Sequence, residues 1–173
     1  MFYKNCPFCG EEYDENSKVV VSDYPNSLQC SFCKKIFYNN PKPTAAGLLV
    51  ENNKIILVKR KYEPYKGYWG LPGGFLNYGE DPIESVTREM KEELNIDISS
   101  PEMIDMFHMF YPIDKTDKLS LIVFVYKVNF NVNEIKAGDD AEEWAFFDRK
   151  SLPEAIAFPE QKKYLKECLD LIK

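Results

Sequence analysis

The stretch Gly74–Ile96 reads GFLNYGEDPIESVTREMKEELNI and places Glu89, Glu92 and Glu93 at spacings of i, i+3 and i+4. On a helix those three carboxylates project from one face, where like charges repel unless a cation intervenes. Hard divalent ions take oxygen ligands and keep waters that a phosphate substrate can share, so the cluster points to metal-assisted attack on a phosphoanhydride. Taken alone, Arg88–Glu93 also reads as a solvated acidic helix face. Local signals support the helix. Asp81 suits an N-cap, Pro82 the first helical position, and Glu84 falls three residues past the cap as in a capping box. Ile83, Val86, Met90 and Leu94 form the apolar stripe expected to face a core. Just upstream, Leu71-Pro72-Gly73-Gly74 supplies a loop whose glycines let backbone approach a ligand.

The segment fits G-x5-E-x7-R-E-U-x-E-E-x-G-U, with U bulky and apolar, at Gly74, Glu80, Arg88, Glu89, Met90, Glu92, Glu93 and Ile96. This resembles the signature of the Nudix hydrolases, which cleave nucleoside diphosphates linked to another moiety. One position departs from the pattern. Asn95 stands where the family has glycine, and asparagine is the next residue best able to adopt the left-handed helix-closing conformation. The resemblance covers residues 43–173 and implies an α/β/α sandwich with a mixed sheet. It also implies Mg²⁺ or Mn²⁺ held by Glu92, Glu93, Glu89 and the Gly74 carbonyl. Arg88 would orient Glu80 and Glu89, a supporting task. The ions would neutralise the diphosphate and activate an attacking water, with a carboxylate taking the proton. That base is Glu89 or, as in members that place it on a later loop, Glu142 or Glu143 of the acidic stretch Gly138–Trp144.

Cysteine spacing carries a second signal. Cys6-x-x-Cys9 and Cys30-x-x-Cys33 are two knuckles 20 residues apart, the pattern of a four-thiolate structural Zn²⁺ site. A disulfide pair or a redox motif are the other readings. No secretory leader is read ahead of the knuckles, and a redox motif needs no second copy. So small a segment, poor in apolar residues, needs the metal to hold its fold. Cys168 lies on the stripe Tyr164, Leu165, Cys168, Leu169, Ile172 of an expected C-terminal helix and reads as a core residue.

Two modules are therefore expected, a zinc ribbon over 1–40 and the hydrolase domain over 41–173, joined where Pro41 and Pro43 interrupt regular structure. Within the second, strands are expected at Thr44–Val50 and Lys54–Lys59 around an Asn52-Asn53 hairpin, then at Ile104–Phe110, Leu119–Val128 and Trp144–Phe147. A final helix follows Pro159. A hydrophobic content of 45% is enough for a sizeable core, and no apolar run nears the ~18 residues of a membrane span. Net charge is 22 − 28 = −6, and the ribbon is itself slightly acidic, which argues against generic DNA or RNA binding. The thiol-rich composition suggests the cytoplasm, and a homodimer is compatible with the reading.

The ribbon-plus-Nudix arrangement is similar to a group of pyrophosphatases acting on NADH, FAD or ADP-ribose. The NADH enzymes carry SQPWPFPxS beyond the helix, whereas this chain reads Phe107-His108-Met109-Phe110-Tyr111-Pro112, which weighs against NADH and NAD caps on RNA. Pro112 lies 16 residues past Ile96, a spacing associated with ADP-ribose pyrophosphatases. Arg60, Tyr68, Trp69, Tyr111 and Pro112 are the substrate-binding candidates, the aromatics by stacking on a base or flavin. His108 reads as structural. The expected substrate is a small nucleotide whose diphosphate is linked to a second moiety, with release of AMP. Triphosphate hydrolysis and a non-catalytic nucleotide sensor are the alternatives, the intact carboxylates arguing against the sensor.

Overall fold

The computed structural model describes residues 3–13, 27–138 and 140–171; Asp139 of the acidic stretch and Ile172 of the C-terminal stripe lie outside them. Along the described chain run β1 (Leu28–Gln29), β2 (Ile36–Phe37), β3 (Lys42–Leu48), β4 (Val50–Glu51), β5 (Lys54–Arg60), β6 (Trp69–Gly70) and β7 (Gly73–Phe75). They are followed by α1 (Pro82–Leu94), β8 (Ser99–Pro112), β9 (Lys118–Asn129), β10 (Ala141–Phe147) and α2 (Pro159–Leu171). The strands β1 and β2 pair as a small antiparallel ribbon. A second sheet has the order β7-β3-β9-β8 and a third the order β10-β5-β4, with β6 also on β5. The mixed character expected from the sequence resides in the second sheet, where β3 runs parallel to β9 and antiparallel to β7.

Period-two alternation in β3 and β5 explains why both faces are covered. Ala46, Leu48, Ile55 and Leu57 face one way and share a core with Leu165, Cys168 and Leu169 of α2. Ala45, Leu49, Ile56 and Val58 face the other way and share a core with Val86, Met90 and Leu94 of α1. Two helices thus cap opposite faces, as an α/β/α sandwich requires. Ile83 departs from the expected stripe: it lies in the first turn, beyond the sheet, and is exposed. Ser85, by contrast, is fully buried.

The β4–β5 hairpin turns through Asn52 (φ 49°) and Asn53 (φ 59°), both left-handed, as a two-residue turn of the primed type demands. Strand β8 is longer than expected because its pairing with β9 continues beyond the apolar segment. The short strands β6 and β7 were not visible in hydrophobic alternation. They exist because the segment Trp69–Phe75 finds backbone partners on β5 and β3.

Met90 has no exposed surface and packs where Gly47 of β3 has no side chain; a Cβ there would lie 2.7 Å from the Met90 sulfur. Met90→Ala should therefore destabilise the domain by about 2–5 kcal/mol, read from the denaturant midpoint at unchanged slope. A shift below about 0.5 kcal/mol would show that α1 contributes little to the core.

Candidate active site and cysteine cluster

Helix α1 is held at both ends by its own sequence. Asp81 accepts the N–H groups of Ile83 (2.8 Å) and Glu84 (2.9 Å), and Glu84 returns the favour to the Asp81 N–H at 3.0 Å. At the other end Asn95 sits left-handed at φ 54°, its N–H reaching Lys91 O, while Ile96 N–H reaches Met90 O. The loop before β10 caps the last carbonyls: Lys136 N–H donates to Leu94 O and Gly138 N–H to Glu93 O, both at 2.9 Å. That docking carries Asp140 to the carboxylates of α1.

Arg88 organises the acidic face. Its guanidinium grips Glu80 through two contacts of 2.7 and 3.0 Å, and reaches Glu89 at 2.7 Å, Glu92 at 3.0 Å and the Phe75 carbonyl at 3.0 Å. A planar fork suits several carboxylates at once, which a lysine cannot match. Hydrogen bonding from Arg88 holds the Glu80 carboxyl below its ordinary range. Burial pushes Glu89 up, against the pull of Arg88, and pushes Glu93 up to about 8 with repulsion from Glu89 adding to it. Two neighbouring carboxylates that resist ionising together are a donor set that a divalent cation relieves, and oxygen-only donors suit Mg²⁺ or Mn²⁺.

The glycine loop closes around this face. Glu93 accepts the Gly73 N–H at 2.9 Å. Gly73 adopts φ 146°, and a Cβ there would strike the Ala45 backbone. A Cβ on Gly74 would collide with the Glu89 carboxylate. Gly73 is therefore required by backbone conformation as well as by space, and Gly74 by space alone.

A cavity of about 370 Å³ opens from the carboxylates. Glu89, Glu93, Arg88, Gly73, Gly74 and Asn77 line one part, and Arg60, Tyr111, Phe158 and Gln161 line another. Of the residues singled out from the sequence, Arg60, Gly74, Arg88, Glu89, Glu93 and Tyr111 meet there. Glu80 and Glu92 stand behind them on Arg88. Glu143 lies on β10 paired with Lys59 at 3.5 Å and does not line the cavity; Asp140 of the same acidic stretch does. Nor do Tyr68, Trp69 or Pro112 line it. Trp69 packs edge-on against Phe147 on the α2 side, and Tyr68 is exposed beside Tyr65. His108 is exposed and shares a hydrogen bond with Ser120 at 2.8 Å. Asp140, Asn77, Phe158 and Gln161 carried no signal of spacing, because only the chain crossings bring them to the cavity.

In the ribbon, each knuckle closes on itself: Gly10 N–H donates to Cys6 O and Lys34 N–H to Cys30 O, with Gly10 and Lys34 both left-handed. The bridge between Asn5 and Glu12 and the β1–β2 pair set the knuckles face to face. The four sulfurs all lie within 4.8 Å of one another, with Cys6–Cys33 at 3.7 Å and Cys9–Cys30 at 3.6 Å. Sulfurs at tetrahedral corners about 2.3 Å from a Zn²⁺ stand about 3.8 Å apart, so the donors fit that ion. Although burial opposes it, backbone donors at Phe8 and Cys9 lower the Cys6 thiol to about 6. Despite a backbone contact at Glu11, burial and the other three sulfurs push Cys9 up to about 12. The cluster thus resists holding four negative charges unaided.

The α/β/α sandwich with a helix-borne carboxylate cluster beside a cleft sets the class of domain. Residues 41–168 match the NUDIX domain family, and the chain belongs to the Nudix hydrolases. It is 38% identical over 125 residues to the ADP-ribose pyrophosphatase of Methanocaldococcus jannaschii, covering 72% of each chain. It is 22% identical over 165 residues to the NAD-capped RNA hydrolase NudC of Pseudomonas aeruginosa, covering 95% of this chain and 54% of that one. Among solved structures, a NUDIX hydrolase from Nitrosomonas europaea superposes with a TM-score of 0.70 at 26% identity, over 97% of this chain and 91% of that one.

Proposed function

We propose that the protein hydrolyses the pyrophosphate bond of a nucleoside diphosphate linked to a second moiety, of the ADP-ribose, NAD(H) or FAD type, releasing AMP. The observation that carries this is the continuity of one cavity from the carboxylates Glu89 and Glu93 to the aromatic pair Tyr111 and Phe158. It provides a charged end for the diphosphate and an apolar end for a ring. The cationic side chains among the described lining residues are Arg60, Lys61 and Arg88, and the last is committed to carboxylates. That supply matches a diphosphate better than a triphosphate tail. The relative from Methanocaldococcus jannaschii supports the same substrate class.

Glu89, Glu92, Glu93 and the Gly74 carbonyl are the donors for Mg²⁺ or Mn²⁺, which when bound supplies charge neutralisation and water activation. Glu89 takes the proton of the attacking water. It lines the cavity where Glu143 does not. Arg88 keeps Glu89 and Glu92 in place while neutralising Glu80. In the ribbon, proposed to span residues 1–40 ahead of a hydrolase domain over 41–173, Cys6, Cys9, Cys30 and Cys33 hold a structural Zn²⁺.

The test of substrate is kcat/KM for ADP-ribose, NADH, FAD and the common triphosphates, with products separated by chromatography. One of the diphosphate-linked compounds should lead every triphosphate by about tenfold or more, equivalent to 1.4 kcal/mol, with AMP formed. A triphosphate at the head of the panel overturns the reading. A test of the Arg88 role is Arg88→Lys, which keeps the charge and loses the fork. It should cost about 10–100-fold in kcat/KM even at saturating Mg²⁺, as loss of a ligand-orienting partner does. Activity within about twofold of wild type would mean that the guanidinium only decorates the helix.

A further inference from the structure

Gln161 stands in the first turn of α2, 6% exposed, and lines the inner part of the cavity with Phe158, Leu71 and Gly70. Its Oε1 accepts the Leu71 N–H at 3.1 Å. Because Leu71 N–H can only donate, the amide orientation is set, and the NH₂ group must face the other way. Gly70 leaves room for that amide, since a Cβ there would come within 2.8 Å of Oε1. The Nε2 atom has no hydrogen-bond partner among the described residues. It is not sealed in either: Tyr13 Oη is the one buried side-chain polar atom without a partner among those residues, so Nε2 keeps access to the cavity. An amide held this firmly, with its donors facing a cavity, offers them to water or to a ligand that seats there.

Its surroundings restrict what that ligand is. Met109, Leu121 and Val123 line the same cavity as an apolar floor. Tyr111 and Phe158 stack at 5.8 Å with 29° between their planes, and the Arg60 guanidinium lies 5.5 Å over the Phe158 ring. Flat aromatic and apolar walls suit a planar heteroaromatic ring, and a lone amide donor suits an acceptor on its edge.

We propose that Gln161 is the specificity-determining donor of a nucleobase subsite, its NH₂ group reading a ring nitrogen or carbonyl on the edge of the base. This rests on the proposed nucleotide pyrophosphatase reading for the identity of the ring, and on the geometry above for the contact. The hydrogen bond to Leu71 also ties α2 to the glycine loop that holds Glu93, so a base seated on Gln161 is in register with the diphosphate end.

The test is equilibrium binding, by calorimetry, of AMP, GMP and UMP, ribose 5-phosphate, and purine monophosphates in which single ring nitrogens are replaced by C–H. For wild type and Gln161→Met, hydrolysis of ADP-ribose is followed in parallel. Wild type should bind at least one base-bearing monophosphate more tightly than ribose 5-phosphate. One acceptor deletion should weaken that binding about 10–100-fold, the worth of a buried hydrogen bond left unmade. Gln161→Met should lose the same factor for the parent and be indifferent to that deletion, while ribose 5-phosphate binding stays as in wild type. In hydrolysis kcat/KM should fall by the same factor, with the larger share in KM. A wild type that binds no monophosphate better than ribose 5-phosphate, or that tolerates every deletion, overturns the proposal even if Gln161→Met fails to fold. So does a Gln161→Met protein that keeps wild-type discrimination. Deletion-sensitive binding without turnover of any diphosphate-linked compound would sink the pyrophosphatase reading and leave the base subsite standing.

Discussion

Glu93→Gln is expected to lower kcat by about two to three orders of magnitude with the fold intact. Several kcal/mol of transition-state stabilisation go with one metal-binding carboxylate, at 1.36 kcal/mol per factor of ten. The substitution keeps the volume, and the amide oxygen can still accept the Gly73 N–H that Glu93 holds at 2.9 Å. Stability should move the other way. In the metal-free protein the Glu93 carboxyl titrates near 8 against an ordinary value of 4.5, mainly through burial. Between those values the unfolded chain has released the proton while the folded chain retains it, so this group makes stability fall as pH rises from about 4.5 to 8. Metal-free wild type should therefore lose stability across that window more steeply than Glu93→Gln, as melting curves in chelator at stepped pH would show. Near wild-type kcat with every substrate in the panel would return the helix to the status of an acidic surface.

Removing the Zn²⁺ proposed for the cysteine cluster should have the other large effect. We expect about one zinc per chain in protein purified without added metal, and its loss in Cys30→Ser. Structural zinc contributes on the order of 10 kcal/mol to small modules that cannot hold together without it. The knuckle amides Cys6, Gly10, Cys30 and Lys34, each bonded within the ribbon, should lose protection from hydrogen exchange. The hydrolase domain, with its own two cores, should keep its protection. Zinc-free wild type, or full zinc content in Cys30→Ser, would remove the cluster from the list of metal sites.

Much of the site was legible because it is local. The N-cap at Asp81, the capping box with Glu84, the left-handed Asn95 and the carboxylates on one face of α1 depend on neighbours within about one turn, where spacing and geometry are the same statement. The cysteine knuckles are legible for the same reason, since each closes within five residues. The Asn52-Asn53 hairpin and the α2 stripe through Tyr164, Leu165, Cys168 and Leu169 also follow from short-range patterns.

Residues whose position relative to the cavity the sequence did not show share a different cause. Glu143 looked equivalent to its acidic neighbours, but strand alternation and the docking of Gly138 onto Glu93 turn Asp140 toward the carboxylates and leave Glu143 with Lys59. Tyr68 and Trp69 read as stacking residues by composition alone, and the pairing of β6 with β5 directs Trp69 to Phe147 instead. Gln161 is separated from Leu71 by 90 residues, and no local pattern marks an amide that will be buried with its donors spare. The sequence by itself determined the carboxylate helix, the cysteine knuckles and the two apolar faces, because each depends on periodicity along one segment. Only the tertiary structure decided which acid and which aromatics border the cavity, because those contacts arise where strands and loops distant in sequence cross.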